Sequence, residues 1–175
     1  MNLIQVGPIP TTIKSAELRE PIDIGGGSFC AWLWTPIVDG GCVFIGNINS
    51  PAFIQFDREL GAMVRGDLAA EKSSEAFYEG QPPFGDAILR VRRDDDGEVY
   101  FAWTGMAEQP ATTNSLGKDP VTFTHLLAYN STGAPGNLDG FADATHALTL
   151  LRIDSGNLTP VEIADIEMEL FGVTL

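Results

Sequence analysis

The sequence predicts an all-β protein: an antiparallel sandwich with one short helix near the C-terminus. Three observations carry this. Short apolar runs rich in β-branched and aromatic residues recur along the chain. Between them, 19 glycines and 11 prolines are spread as turn signals rather than pooled in a linker. A single segment carries a helix-start signature. At 175 residues the chain suits one domain with a sizeable core.

Residues 1–22, "MNLIQVGPIPTTIKSAELREPI", contain Pro8, Pro10 and Pro21 and little strand pattern, so they read as an extended N-terminal arm before a sandwich domain over 23–175. Leu3, Ile4, Val6, Ile9 and Ile13 are too many apolar groups for an idle tail. The arm is expected to pack on its own sandwich edge or on a neighbouring subunit. "GGGS" at 25–28 leads flexibly into the first long strand. Strands are expected over 28–34, 42–48, 52–57, 61–66, 87–93, 98–105, 121–129 and 146–153. The clearest hairpin is "ILRVRRDDDGEVYFAW", whose Asp95-Asp96-Gly97 suits a turn with positive φ. Its acidic run, Asp94 to Asp96, reads as a solvated turn, because a calcium loop spaces its ligands along a longer segment. Residues 67–86 and 106–120 lack a clean period and read as long surface loops. Thr159, Pro160 and Glu162 form a capping box with proline at the first helical position. The acidic alternation that follows, Asp165, Glu167 and Glu169, predicts a last amphipathic strand with Ile166, Met168 and Leu170 facing the core. On that reading Glu167→Gln and Glu169→Gln both leave the fold intact.

Composition excludes several classes. With 24 acidic against 10 basic residues the formal net charge is −14, which repels nucleic acid and anionic membranes. No apolar run approaches the ~18 residues of a membrane span, and the N-terminus has no basic, then apolar, signal-peptide pattern, so membrane insertion and signal-peptide export are not expected. Cys30 and Cys42 read as reduced, buried thiols. His125 and His146 have no zinc-like spacing, and no phosphate loop or nucleophile elbow occurs, so neither metal nor cofactor is expected.

"SFCAWLW" near the start, the central "AILRVRRDDDGEVYFAWTG" hairpin and the closing "LDGFADATHALTLLRIDSGNLTPVEIADI" resemble the concanavalin A-like jelly rolls, especially their laminin-G-like branch. Leu158, Thr159, Glu162 and Ile163 match that branch's closing Leu-Ser/Thr-x-x-Glu-Ile helix. The spacing from Gly140 to Leu158 is longer than usual there, and "WTG" stands where Asn-Gly is expected. The resemblance implies a jelly-roll sandwich. The same superfamily holds laminarinase-type endo-β-glucanases with a Glu-x-Asp-x-Glu strand, but Asp165-Ile-Glu167-Met-Glu169 exchanges the first two acids, so no catalytic residues are assigned.

Trp32, Trp34 and Trp103 have apolar flanks and are expected in the core, on a strand buried on both faces. Jelly rolls that bind sugars do so through ring stacking and Asp or Asn in loops, which singles out Phe77, Tyr78, Phe84, Tyr129, Asn130, Asn137 and Asp139 as glycan-binding candidates. By resemblance, the expected function is that of a non-catalytic module of a phage particle, as capsid decoration or tail surface protein, with or without glycan binding. Its localisation would be the virion, and its partners other virion proteins, a homo-oligomer or a cell-surface glycan. A free carbohydrate-binding lectin and a diverged endo-β-glucanase are the alternatives.

Overall fold

The computed structural model describes residues 2–4, 16–37, 41–57, 61–83, 85–127 and 150–175. The strands form two antiparallel sheets. In chain order they are β1 (Asn2–Ile4), β2 (Ala16–Gly25), β3 (Phe29–Ile37), β4 (Gly41–Gly46), β5 (Phe53–Asp57), β6 (Gly61–Arg65), β7 (Glu75–Tyr78), β8 (Gly85–Arg93), β9 (Val99–Trp103), β10 (Met106–Pro110), β11 (Thr113–Asn114), β12 (Val121–Leu126) and β13 (Leu150–Ser155). Helix α1 spans Pro160–Phe171. The six-stranded sheet runs β1-β13-β3-β8-β9-β10 and the seven-stranded sheet β11-β7-β6-β5-β4-β12-β2. This is the predicted jelly-roll sandwich with a C-terminal helix.

Each predicted strand segment contains a strand, because each combines β-branched or aromatic residues with flanking turn residues. The central hairpin is β8 and β9 in register, Arg93 opposite Val99 and Leu89 opposite Trp103. Its turn is built by Asp94, whose Oδ1 accepts from the backbone N–H of Asp96 (3.0 Å) and of Glu98 (2.9 Å). Gly97 sits at φ 89°, and a Cβ there would stand 2.8 Å from the Gly117 carbonyl carbon, so only glycine fits. Asp95 is less free than a solvated turn implies: it accepts from the Ser28 hydroxyl (2.8 Å) and from Asn157 Nδ2 (3.0 Å), tying the turn to two other loops.

Strands also occur where loops were expected. Within 67–86, β7 pairs with β6, and within 106–120, β10 pairs with β9 across a bulge and β11 pairs with β7. These strands are short and sit at or beside sheet edges, where one polar face leaves little apolar pattern to read. The segment read as an arm contains two strands. β2 pairs with β12; Ile22, 6% exposed, is buried in the core, and Ala16, Leu18 and Ile24 pack partly against it. β1 pairs with β13, Leu3 opposite Arg152 and Ile4 opposite Leu151. Val6, Ile9 and Ile13 lie outside the described residues. Consecutive strands β3 and β4 belong to different sheets, so Cys30 and Cys42 are on different sheets; Cys30 is a free, buried thiol.

The core fills the space between the sheets. Strand alternation turns Phe29, Ala31 and Leu33 of β3 and Leu89 and Val91 of β8 inward to meet Phe44, Ile54, Phe56, Val64 and Phe123 of the facing sheet. Arg93 breaks this apolar rule at the sandwich end. Fully buried, it donates to the carbonyls of Gly25, Gly27, Gly117 and Asp119 and so ties the loops before β3 and β12 to the end of β8.

The expected last strand is instead the continuation of α1. Its stripe of Ile163, Ile166, Glu167, Leu170 and Phe171 follows the i, i+3, i+4, i+7, i+8 spacing of a helix face, and good helix formers fill the rest. The alternation of Ile166, Met168 and Leu170 was misleading, since Met168 is 55% exposed. The capping box closes as read: Thr159 N–H donates to Glu162 Oε2 (2.8 Å) and Glu162 N–H to Thr159 Oγ1 (3.3 Å). Gly172, at φ 69°, ends the helix.

Replacing Thr159 with Ala should lower unfolding free energy by about 1 kcal/mol at neutral pH, read from the urea midpoint. The Thr159 backbone N–H, and then its hydroxyl, hold the Glu162 carboxyl below its ordinary 4.5. A depressed carboxyl contributes fully above its unfolded pKa, and the contribution disappears as pH falls through the folded one. The stability difference between wild type and Glu162→Gln should therefore close on acidification below pH 4.5. A difference that is constant with pH would contradict the capping box.

Candidate functional site

Outside the sandwich, α1 lies against the outer face of the six-stranded sheet and creates a cleft there. The alternation that sends Leu89 and Val91 inward sends Ile88, Arg90 and Arg92 of β8 outward, beside Cys30, Trp32 and Trp34 of β3 and Tyr100 of β9. Ile163 packs with buried Cys30 and Trp32, joined by Leu158, Ile166 and Phe171. β3 is thus covered on both faces over Cys30 and Trp32, as the tryptophan flanks predicted. Trp103 is in the core at 5% exposure, whereas Trp34 departs from the expectation, with 37% exposed. It stands beyond the main helix contact, edge-on to Phe171.

A carboxylate anchors the helix. Glu167, 1% exposed, accepts through Oε1 from Trp32 Nε1 (3.1 Å) and from Arg90 Nη1, and through Oε2 from the Leu175 backbone N–H (2.8 Å). Arg90 also reaches Glu108 Oε2 with Nη2 (3.1 Å). Glu108, from β10, holds Arg92 in a two-pronged contact, Nη2 to Oε1 at 2.8 Å and Nε to Oε2 at 3.3 Å. The Arg92 guanidinium lies 4.2 Å from the centre of the Tyr100 ring. Burial opposes the Arg92 charge, but hydrogen bonding and attraction from Glu108 outweigh it and raise its pKa above the ordinary guanidinium value. Burial also pushes the Cys30 thiol well above its ordinary value, with the Arg90 charge opposing, which keeps Cys30 an inert packing group.

Between these side chains and the helix is an open cleft of about 430 Å³. Its charged wall is Arg90, Arg92, Glu108 and Glu167, its apolar side Leu158, Pro160 and Ile163, and Asn157, Thr159 and Thr174 add hydrogen-bonding groups at its ends. Such a wall offers charge-assisted donors and acceptors in fixed orientation, able to engage paired hydroxyls or a carboxylate. A second hollow of about 400 Å³ on the other flank of α1 is lined by Arg152, Asp154, Glu162 and Asp165. There Arg152 Nη2 pairs with Asp154 Oδ2 at 2.8 Å. Among the described residues, no group of three or more His, Cys, Asp or Glu is placed to hold a metal ion, and no helix is long and apolar enough to cross a membrane.

Of the glycan-binding candidates chosen from sequence, the two that are described, Phe77 and Tyr78, do not line this cleft. Phe77 and Tyr78 alternate across β7, so their rings face opposite ways. Tyr78 packs inward on Trp103 (ring centres 5.5 Å) and Phe101, while Phe77 is on the outer face of the seven-stranded sheet, beside Met63 and Thr113. Phe84, Tyr129, Asn130, Asn137, Asp139 and His146 lie outside the described residues; His125 is buried beside the Thr124 hydroxyl (3.0 Å). Sequence reasoning missed Arg90, Arg92, Glu108 and the inward role of Glu167. The signal was present: two arginines on one face of a strand whose other face is apolar from Ala87 to Val91, and one glutamate inside an otherwise apolar helical stripe.

No protein-family model matches the chain, and no curated protein matches it by sequence. Solved structures do match. The CBM40 domain of the Ruminococcus gnavus IT-sialidase aligns with a TM-score of 0.52 at 8% identity over 87% of this chain and 95% of its own. The binding domain of botulinum neurotoxin DC aligns in complex with rat synaptotagmin II (TM-score 0.54, 11% identity, 84% of this chain) and in complex with SialylT (TM-score 0.53, 10% identity, 84% of this chain). This chain spans 37% and 36% of those two chains. At such identities the likeness is one of fold, the jelly-roll β-sandwich. The laminin-G-like branch and the phage setting rest on the sequence resemblance alone.

Because Arg90 and Trp32 would be left facing an empty acceptor position, Glu167→Ala should destabilise by about 3–5 kcal/mol in chemical denaturation. Glu169→Gln, at an exposed position, should stay within about 0.5 kcal/mol. This replaces the expectation that both acids are silent, and equal effects at the two positions would reject the anchoring role.

Proposed function

We propose that this chain is a non-catalytic carbohydrate-binding module and that the cleft between α1 and strands β8–β10 is its sugar site. The observation that carries the reading is the Arg92–Glu108 pair, part-exposed and oriented at the wall of an open cleft. A sugar presents neighbouring hydroxyls that donate and accept in pairs, and a fixed guanidinium beside a fixed carboxylate meets both needs at little ordering cost. Leu158 and Pro160 provide an apolar border for the ring's C–H groups. A non-catalytic role is supported by Glu167, whose two oxygens are engaged by Arg90, Trp32 and Leu175, leaving it no freedom to shuttle protons or attack. A fold shared with a sialidase CBM40 domain supports the same class.

A glycan array should show selective binding by the wild type that Arg92→Ala and Glu108→Gln each reduce at least tenfold, while each variant still unfolds in a single cooperative transition. Binding that survives both substitutions would remove the cleft as the site.

Membership of a phage particle, as capsid decoration or tail surface protein, is the second reading. It is favoured by the apolar N-terminal residues and by β1, which adds only as an edge strand. On this reading, deleting residues 1–13 abolishes oligomerisation or particle attachment, read by native mass and particle pull-down. The remaining sandwich still unfolds cooperatively, because β13 keeps its pairing with β3. An unchanged native mass and unchanged attachment would end this reading.

A further inference from the structure

Trp34 raises a question that the cleft does not answer. It sits in the middle of the six-stranded sheet, between the partners Leu150 and Ile88 and two residues from fully buried Trp32, yet 37% of it is exposed. An indole in such a place normally buries 150–250 Å². What stops α1 from covering it is the helix end: Gly172 turns the chain in the left-handed conformation, and the following residues fold back so that Leu175 N–H reaches Glu167. Phe171, the last helical residue, meets Trp34 edge-on, with ring centres 6.2 Å apart and planes at 86°. An edge-on pair leaves a flat aromatic surface open, which a stacked pair would cover.

The cleft and this aromatic corner lie along the same helix. The cleft follows α1 from Asn157 and Pro160 to Glu167, where Leu175 folds back, and Phe171, four residues further along the helix, makes the contact to Trp34. Trp32, bonded to Glu167 in the cleft wall, and Trp34 share one strand and one face, about 7 Å apart at two residues of strand rise. Among the described residues the exposed large apolar side chains are Trp34, Val161, Met168 and Val173. Val161 is at the opposite helix end from Trp34, so these four side chains do not form one apolar face of the kind a stable protein interface needs. A flat ring beside a hydrogen-bonding cleft fits a sugar ring better than a protein surface.

We propose that Trp34, backed by Phe171, is a second subsite that stacks a further sugar unit, so that the ligand class is an oligosaccharide rather than a single sugar. This rests on the carbohydrate-binding reading of the cleft and extends it. Titration calorimetry with a monosaccharide that the array selects, and with its di- and trisaccharides, should show affinity rising with length. Trp34→Ala should cut the affinity for the longer ligands by about tenfold, toward the monosaccharide value, and Trp34→Phe should restore part of it by returning an aromatic face. Binding that is independent of length and insensitive to Trp34→Ala, but lost in Arg92→Ala, would overturn this subsite while leaving the cleft in place. Absence of binding to any sugar would overturn both. Concentration-dependent self-association that Trp34→Ala abolishes would assign the corner to a protein contact and overturn the subsite alone.

Discussion

The position of one helix on one sheet depends on a buried carboxylate. Glu167 is surrounded by apolar packing from Ile163, Trp32 and Phe171, and a charge in such a place is tolerable only if each oxygen is matched. Arg90, the Trp32 indole and the Leu175 backbone supply the matches. The requirement works in both directions, because Arg90 on a central strand also needs a partner under the helix. An apolar stripe alone would let α1 slide or rotate by a residue; the glutamate admits one rotation and one height. The cleft exists because α1 is held at that height.

The same face gathers scarce positive charge. The chain has only 10 basic residues against 24 acidic ones, yet Arg90, Arg92 and Arg152 all project from the outer face of the six-stranded sheet. Each is balanced locally, by Glu167, Glu108 and Asp154 respectively. The result is a nearly neutral but strongly hydrogen-bonding surface on an acidic molecule. Such a surface discriminates by the orientation of donors and acceptors, and the net charge of a ligand has little leverage on it.

Where strands are buried on at least one face, the sequence displays them: Phe29 to Leu33 and Leu89 to Val91 are apolar in the right period because the core demands it. Edge strands are hidden for the opposite reason. β2, with Glu17, Arg19 and Glu20, buries only Ile22 fully while Ala16, Leu18 and Ile24 pack partly against the core, so its strand pattern is weak in the sequence. The helix start was legible in Thr159 to Glu162, a local device decided by neighbours in sequence. Its length was not, since Asp165, Glu167 and Glu169 satisfy a strand period as well as a helix stripe until the sheet below selects Glu167. The cleft was invisible for a related reason. Its parts come from β8, β10 and α1, and nothing in the local sequence tells Arg92 that Glu108 will be beside it.

The order of strands within the sheets has a consequence for synthesis. β13 is inserted between β1 and β3, and β12 between β2 and β4, so chain made late occupies an interior position, one strand from the edge, in both sheets. On a ribosome, β3 to β11 can pair among themselves, but β3 and β4 then present open edges until residues 121–155 emerge. At about 5–20 residues per second that interval lasts several seconds. The edges left open are among the most apolar of the molecule, with Trp32 and Leu33 on one and Phe44 and Ile45 on the other. Nascent chains caught in this state share complementary unpaired strands, and their natural hazard is pairing with each other.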